Sequence, residues 1–131
     1  MRKLPKTIDE LLAEARARLE RVTAEQAFAE QRDGALLVDT RTYEQRRYAG
    51  CVPGAVVLDR TVFEWRLDPA SPSHTPEVRD HDARIIVLCR QGYSSSLAAA
   101  SLQELGLWRA TDVIGGFEAW TAAGLPVEPF A

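Results

Sequence analysis

The stretch Arg84-Ile85-Ile86-Val87-Leu88-Cys89-Arg90-Gln91-Gly92-Tyr93-Ser94-Ser95-Ser96-Leu97-Ala98-Ala99-Ala100 decides the fold. It opens with an unbroken apolar run, Ile85 to Leu88, which suits a strand buried on both faces of a parallel sheet. It closes with an Ala- and Leu-rich segment in which Ala98, Leu102 and Leu105 recur at helical spacing. Between them lies a short loop that begins at Cys89 and contains Gly92. A strand, a tight loop and a helix N-terminus bring backbone N–H groups together, and the helix dipole favours negative charge there. A thiol in that loop loses its proton more readily and becomes a nucleophile. Gly92 lets the backbone curl closely, and Ser94 or Ser95 is expected to cap the helix that follows.

Outward from this stretch, short apolar runs alternate with helical segments. Thr7 to Glu10 and Thr23 to Gln26 read as capping boxes. The first opens an amphipathic helix to about Arg21, with Leu11, Leu12, Ala15 and Leu19 on one face and Glu14, Arg16, Arg18 and Glu20 on the other. It is expected to pack on the domain edge, with a partner or dimerisation helix as the other reading. The second opens a helix to about Gln31, and Gly34 marks a turn. Strands are expected over 35–38, 56–58 and 111–114, and helices over 42–48, 61–67 and 117–123. Residues 68–82 hold three prolines and both histidines, and read as an irregular surface loop where order is expected to be lowest. Gly106 stands where a helix C-cap glycine belongs. The alternation predicts an α/β fold with a mainly parallel sheet, and ligands of such sheets bind at the carboxyl ends of the strands. Cys89 follows such an end.

Composition narrows the function classes. The chain has 131 residues, enough for one domain with its own core. Its net charge of −3, without a basic run, argues against nucleic-acid binding. No long apolar stretch predicts a membrane span, and the basic start lacks the apolar run of a signal peptide. Two cysteines make no disulfide framework, so free thiols and a cytoplasmic location are expected.

Four motifs together resemble the rhodanese domains, the sulfurtransferases that carry sulfur as a cysteine persulfide. Cys89 to Ser95 is similar to the active-site loop. Leu37-Val38-Asp39-Thr40-Arg41 is similar to a strand ending in Asp-x-Arg, and Gly50-Cys51-Val52-Pro53-Gly54-Ala55 to a Gly-His-x-Pro-Gly-Ala turn. Gly115-Gly116-Phe117-Glu118-Ala119-Trp120 with Gly124 to Val127 is similar to the closing segment. The motifs stand in the family's order. The resemblance implies a three-layer rhodanese-like α/β fold over residues 22–131, with helices on both faces of the sheet. Residues 1–21 are then an N-terminal helical extension packed on it. It implies a sulfurtransferase that moves sulfane sulfur from thiosulfate or a persulfide to a thiophilic acceptor, or to an acceptor protein, through Cys89.

The site expected on these grounds has Cys89 as the nucleophile and Arg90, Gln91, Gly92, Tyr93, Ser94 and Ser95 around the substrate. Arg90 reads either as the holder of an anionic donor or as a solvated loop arginine; Tyr93 reads as the pocket rim. Asp39 and Arg41 are expected to support strand-end loops, with Arg41 pairing Glu44 or another acid. No cofactor is expected. Cys51, His74, His81 and Cys89 are spaced by 23, 7 and 8 residues, which matches no zinc pattern. Cys51 stands where the family has histidine and reads as a small apolar replacement, or else as a resolving thiol. Trp65, Trp108 and Trp120 read as packing residues. The resemblance also implies that sulfurtransferases use the six-residue loop found from Cys89 to Ser94. The related phosphatases add a residue and end on a phosphate-gripping arginine, where this chain has Ser95. A non-turnover binding module or sulfur carrier is the alternative, and assembly as a monomer or homodimer is open.

Overall fold

A computed structural model describes residues 2–131. The apolar run of the deciding stretch forms β3 (Ile85–Leu88), in which every residue is buried. It pairs in parallel with β1 (Leu36–Asp39), Leu36 opposite Ile85 and Asp39 opposite Leu88. β2 (Val56–Val57) flanks β1 and β4 (Thr111–Asp112) flanks β3, both in parallel, giving the order β2-β1-β3-β4. Neighbouring residues on a strand face opposite ways, so the continuous apolar runs feed two cores. Val38, Ile85 and Val87 pack with α4 (Phe63–Leu67) and α5 (Ser94–Glu104). Leu37, Ile86 and Leu88 pack with α2 (Ala24–Arg32) and α6 (Gly116–Ala122). The result is the expected three-layer α/β arrangement. α3 (Tyr43–Ala49) follows β1 and starts at Thr42, which makes a capping box with Gln45.

α1 (Ile8–Ala17) packs its buried Leu12 and Ala15 against α5. It ends a turn earlier than the helical pattern predicts. Val22 makes a parallel bridge with Val113, its amide donating to the Asp112 carbonyl at 3.1 Å. A chain that must arrive extended at Val22 cannot stay helical to Arg21. The polar face drawn for this helix is also wrong in part: Arg16 turns inward, as described below, whereas Arg18 meets Glu104 at the surface.

The irregular 68–82 loop has no helix or strand, yet it is not loose: Val78 is fully buried, and the Thr75 amide donates to the Arg66 carbonyl at 2.7 Å. Trp120 packs fully buried, but Trp65 and Trp108 are exposed at 62% and 66%, contrary to their reading as packing residues. Trp108 instead donates its indole N–H to Asp82.

Candidate active site

Cys89 is the first residue beyond β3, and it is 6% exposed. Its Sγ accepts the Gly92 amide at 3.1 Å. Burial pushes the thiol up, but hydrogen bonds from the Ser95 and Ser94 hydroxyls and from the Ser95 and Gly92 amides outweigh it. The sum holds the thiol below its ordinary value. This is the environment of a thiolate: several donors converge on one sulfur.

Neither serine caps α5, contrary to expectation. Tyr93 is the N-cap, without a side-chain hydrogen bond, and Ser94 is already helical. Both hydroxyls are taken by other partners. Ser95 and Ser96 each donate to Asp112 Oδ2 at 2.7 Å. Asp112 is fully buried on β4 and binds Arg21 through both oxygens, at 2.8 and 3.2 Å. The Ser95 hydroxyl thus serves both the carboxylate of Asp112, to which it donates at 2.7 Å, and the sulfur of Cys89.

The closing glycines shape the opposite wall of the loop. Gly116 has φ +60°, and a Cβ there would collide with the carbonyl oxygen of Cys89 and the backbone of Arg90. Gly92 has φ +86°, and a Cβ there would lie 2.7 Å from the Gly115 nitrogen. Behind these contacts, the Phe117 and Glu118 amides hold the Cys89 and Arg90 carbonyls at 2.8 and 3.1 Å. Only glycine permits two backbones this close.

Asp39 and Arg41 form a buried ion pair at 2.8 Å, so Asp39, not Glu44, is the acid that Arg41 meets. Arg41 also donates to the Gly50 carbonyl at 2.9 Å and lies 3.7 Å from the centre of the Phe117 ring. The pair joins the end of β1 to the Gly50 turn and to α6.

Arg90 and Gln91 point outward. Arg90 pairs with Glu118 at 3.1 Å, both side chains more than half exposed, and Gln91 reaches the same carboxylate at 3.4 Å. Arg90 also lines a cleft of about 540 Å³ with Arg41, Tyr48, Phe117 and Thr121, a volume in the range of small-molecule sites. Tyr93 is exposed, with the Arg16 guanidinium 5.6 Å from its ring centre.

Cys51 and Cys89 are both free thiols. Cys51 is partly buried, and its backbone pairs with Glu128. Among the described residues, no group of three or more His, Cys, Asp or Glu is placed to hold a metal. The residues that sequence reasoning missed are Asp112, Ser96, Arg16 and Arg21. Asp112 did leave a signal: a carboxylate inside a short apolar strand must be buried against partners.

Fold and loop together define a three-layer α/β protein with a cysteine held in an amide-lined turn. The model of the rhodanese-like domain matches residues 23–123. Thiosulfate sulfurtransferase GlpE of Haemophilus influenzae is 35% identical over 108 residues, covering 82% of this chain and 92% of that protein. A solved structure from Rhodopseudomonas palustris, of a protein of unknown function described as a possible tyrosine phosphatase, is 30% identical. It has a TM-score of 0.85 and covers 98% of both chains. The polysulfide-sulfur transferase homodimer of Wolinella succinogenes has a TM-score of 0.71 at 20% identity, covering 94% of this chain and 88% of that one; it speaks for the fold alone. The chain belongs to the rhodanese-like domain family.

Proposed function

We propose that this protein is a sulfurtransferase that moves a sulfane sulfur through a persulfide on Cys89. The observation that carries this reading is the set of donors on the Cys89 sulfur, with the Gly92 amide at 3.1 Å. The thiosulfate sulfurtransferases among the relatives support it.

The reaction runs in two displacements. The Cys89 thiolate attacks the outer sulfur of thiosulfate. The S–S bond of the donor breaks, its electron pair leaves with sulfite, and Cys89 holds the persulfide R–S–S⁻. A persulfide donor leaves a thiol in the same way. A thiophile such as cyanide or a thiolate then attacks the outer sulfur. The Cys–S–S bond breaks, the pair returns to Cys89, and the thiolate is restored. Charge shifts from the inner to the outer sulfur and back, and preorganised donors stabilise charge where it develops. Arg90 to Ser95 form the substrate-side loop in this reading, and the cleft beside Arg90 receives the donor or acceptor. Asp39 and Arg41 keep the strand-end turns in place.

Phosphatase activity is the reading that the Rhodopseudomonas palustris structure's description favours. It fits the loop poorly. The position after Ser94 is Ser95, whose hydroxyl faces a buried carboxylate, so the loop offers no bidentate grip on phosphate. Of the described residues, no helix is long and apolar enough to cross a membrane. The two free thiols support a cytoplasmic workplace. Of the 1–21 segment, Met1 lies outside the described residues; the rest acts as an extension packed on the domain through Leu12 and Ala15, and the working unit is a monomer or homodimer.

Thiocyanate release from thiosulfate and cyanide tests this reading, with Cys89→Ser as the control. Turnover lost in a folded Cys89→Ser protein supports it. Turnover retained there ends the mechanism. Hydrolysis of an aryl phosphate with no thiocyanate favours the phosphatase, and neither activity favours a binding module.

A further inference from the structure

The Cys89 loop is gripped by side chains from outside all four motifs. The Gly92 carbonyl accepts two guanidinium donors. Arg16 Nη2, from the last turn of α1, donates at 2.7 Å; Arg21 Nη2, from the linker that follows, donates at 3.0 Å. Arg16 Nε also donates to Ser96 Oγ at 3.1 Å. Arg21 carries the bidentate pair with Asp112, which in turn accepts Ser95 and Ser96. Two arginines thereby join the loop backbone, the first turn of α5 and β4.

The direction of this grip matters. The Gly92 amide donates to the sulfur, while the Gly92 carbonyl is drawn toward α1. Gly92, at φ +86°, belongs to the residue type most free to rotate its adjoining peptides. A rotated Gly92–Tyr93 peptide would bring a carbonyl dipole toward an anionic sulfur, where it repels. Anchoring the carbonyl on the α1 side keeps that dipole off the sulfur and holds Gly92 where its own amide meets Cys89. Two charge-assisted hydrogen bonds on one carbonyl oppose the rotation.

We propose that Arg16 and Arg21 are positioning residues of the sulfur-transfer site: they hold the Gly92 carbonyl on the α1 side, away from the sulfur, so that Gly92 keeps its own amide on Cys89. The N-terminal segment is then a working part of the site. This rests on Cys89 being the sulfur carrier.

The test uses the full chain as wild type, Arg16→Ala, Arg16→Lys, Arg21→Lys and Arg18→Ala. Alkylation of Cys89 by iodoacetamide is followed against pH, with peptide mass spectrometry to separate Cys89 from Cys51. Thiosulfate:cyanide kinetics and thermal melting are measured in parallel. The charged groups on the elements around the loop are Arg16, Arg21, Asp112, the Asp39–Arg41 pair and the Arg90–Glu118 pair. Arg16→Ala is expected to raise the alkylation midpoint by about one pH unit, the scale of one lost hydrogen bond to a charged group. It should lower kcat about tenfold with little change in KM, and Arg16→Lys should restore part of both. Arg18, which pairs only with Glu104 at the surface, should match wild type on substitution. Folded Arg16→Ala and Arg21→Lys proteins with wild-type midpoint and kcat overturn the proposal, whatever their melting temperatures. A shifted midpoint in a protein that transfers no sulfur supports the positioning role and ends the sulfur-transfer reading instead.

Discussion

Gly116 sits so close to Cys89 that a single added methyl group would collide with the cysteine's carbonyl oxygen. The first residue of α6 and the nucleophile therefore fit one another through backbone alone. Gly116→Ala must push the Cys89–Arg90 peptide aside, at a positive φ that alanine already resists. Turnover should fall by about a hundredfold, the cost of a misplacement near one ångström. Thiocyanate kinetics beside a melting curve check this; full activity in Gly116→Ala would show that the loop tolerates displacement.

The serines set the pH range of the thiolate. The Cys89 pKa is depressed against the opposing effect of burial, by the Ser95 and Ser94 hydroxyls and by the Ser95 and Gly92 amides. A depressed pKa means the thiolate dominates above the folded value and is lost as pH falls through it. Its contribution to stability is complete above the unfolded thiol's range near 8.5 and disappears through the same descent. Wild-type alkylation should stay rapid to below that range. In Ser95→Ala and Ser94→Ala the fall should begin at higher pH, and stopped-flow alkylation of Cys89 reads the midpoint. An unmoved midpoint in both would refute the account of the sulfur's donors.

Asp112 is a structural hub as well as a neighbour of the site. Asp112→Ala leaves Arg21 without its carboxylate and two buried serine hydroxyls without their acceptor. The expected loss is about 3 kcal/mol, as for other broken buried pairs. Urea denaturation measures it. A loss under about 1 kcal/mol would place Asp112 among ordinary surface acids.

The two arginine pairs should separate sharply. Asp39→Ala strands the buried Arg41 and should cost about 3–5 kcal/mol. Glu104→Ala frees the exposed Arg18 and should cost at most about 1 kcal/mol. Equal losses in denaturant would contradict the burial assigned to Asp39 and Arg41.

The sheet and the loop were legible because their determinants are local. Ile85 to Leu88 is apolar without a break, and the Cys89 loop follows within the same stretch of chain. The grip of Arg16 and Arg21 was not legible, because each arginine lies more than 70 residues from its target along the chain. Helical periodicity placed Arg16 among solvent-facing charges, and nothing in α1 itself contradicts that. Ser94 and Ser95 read as caps because the usual use of a serine at a helix start is capping; here Ser94 serves the thiol, and Ser95 serves both the thiol and the Asp112 carboxylate. Trp65 and Trp108 show the limit of inferring burial from residue type, since large apolar side chains also cover surfaces.

The central claim is that Cys89 carries sulfur. Intact-protein mass spectrometry after incubation with thiosulfate, and separately with a small persulfide, tests it most directly in wild type and Cys89→Ser. The account predicts a gain of one sulfur, about 32 Da, in wild type alone, removed by cyanide. No adduct from either donor in reduced, folded wild type, or the same adduct in Cys89→Ser, would contradict it.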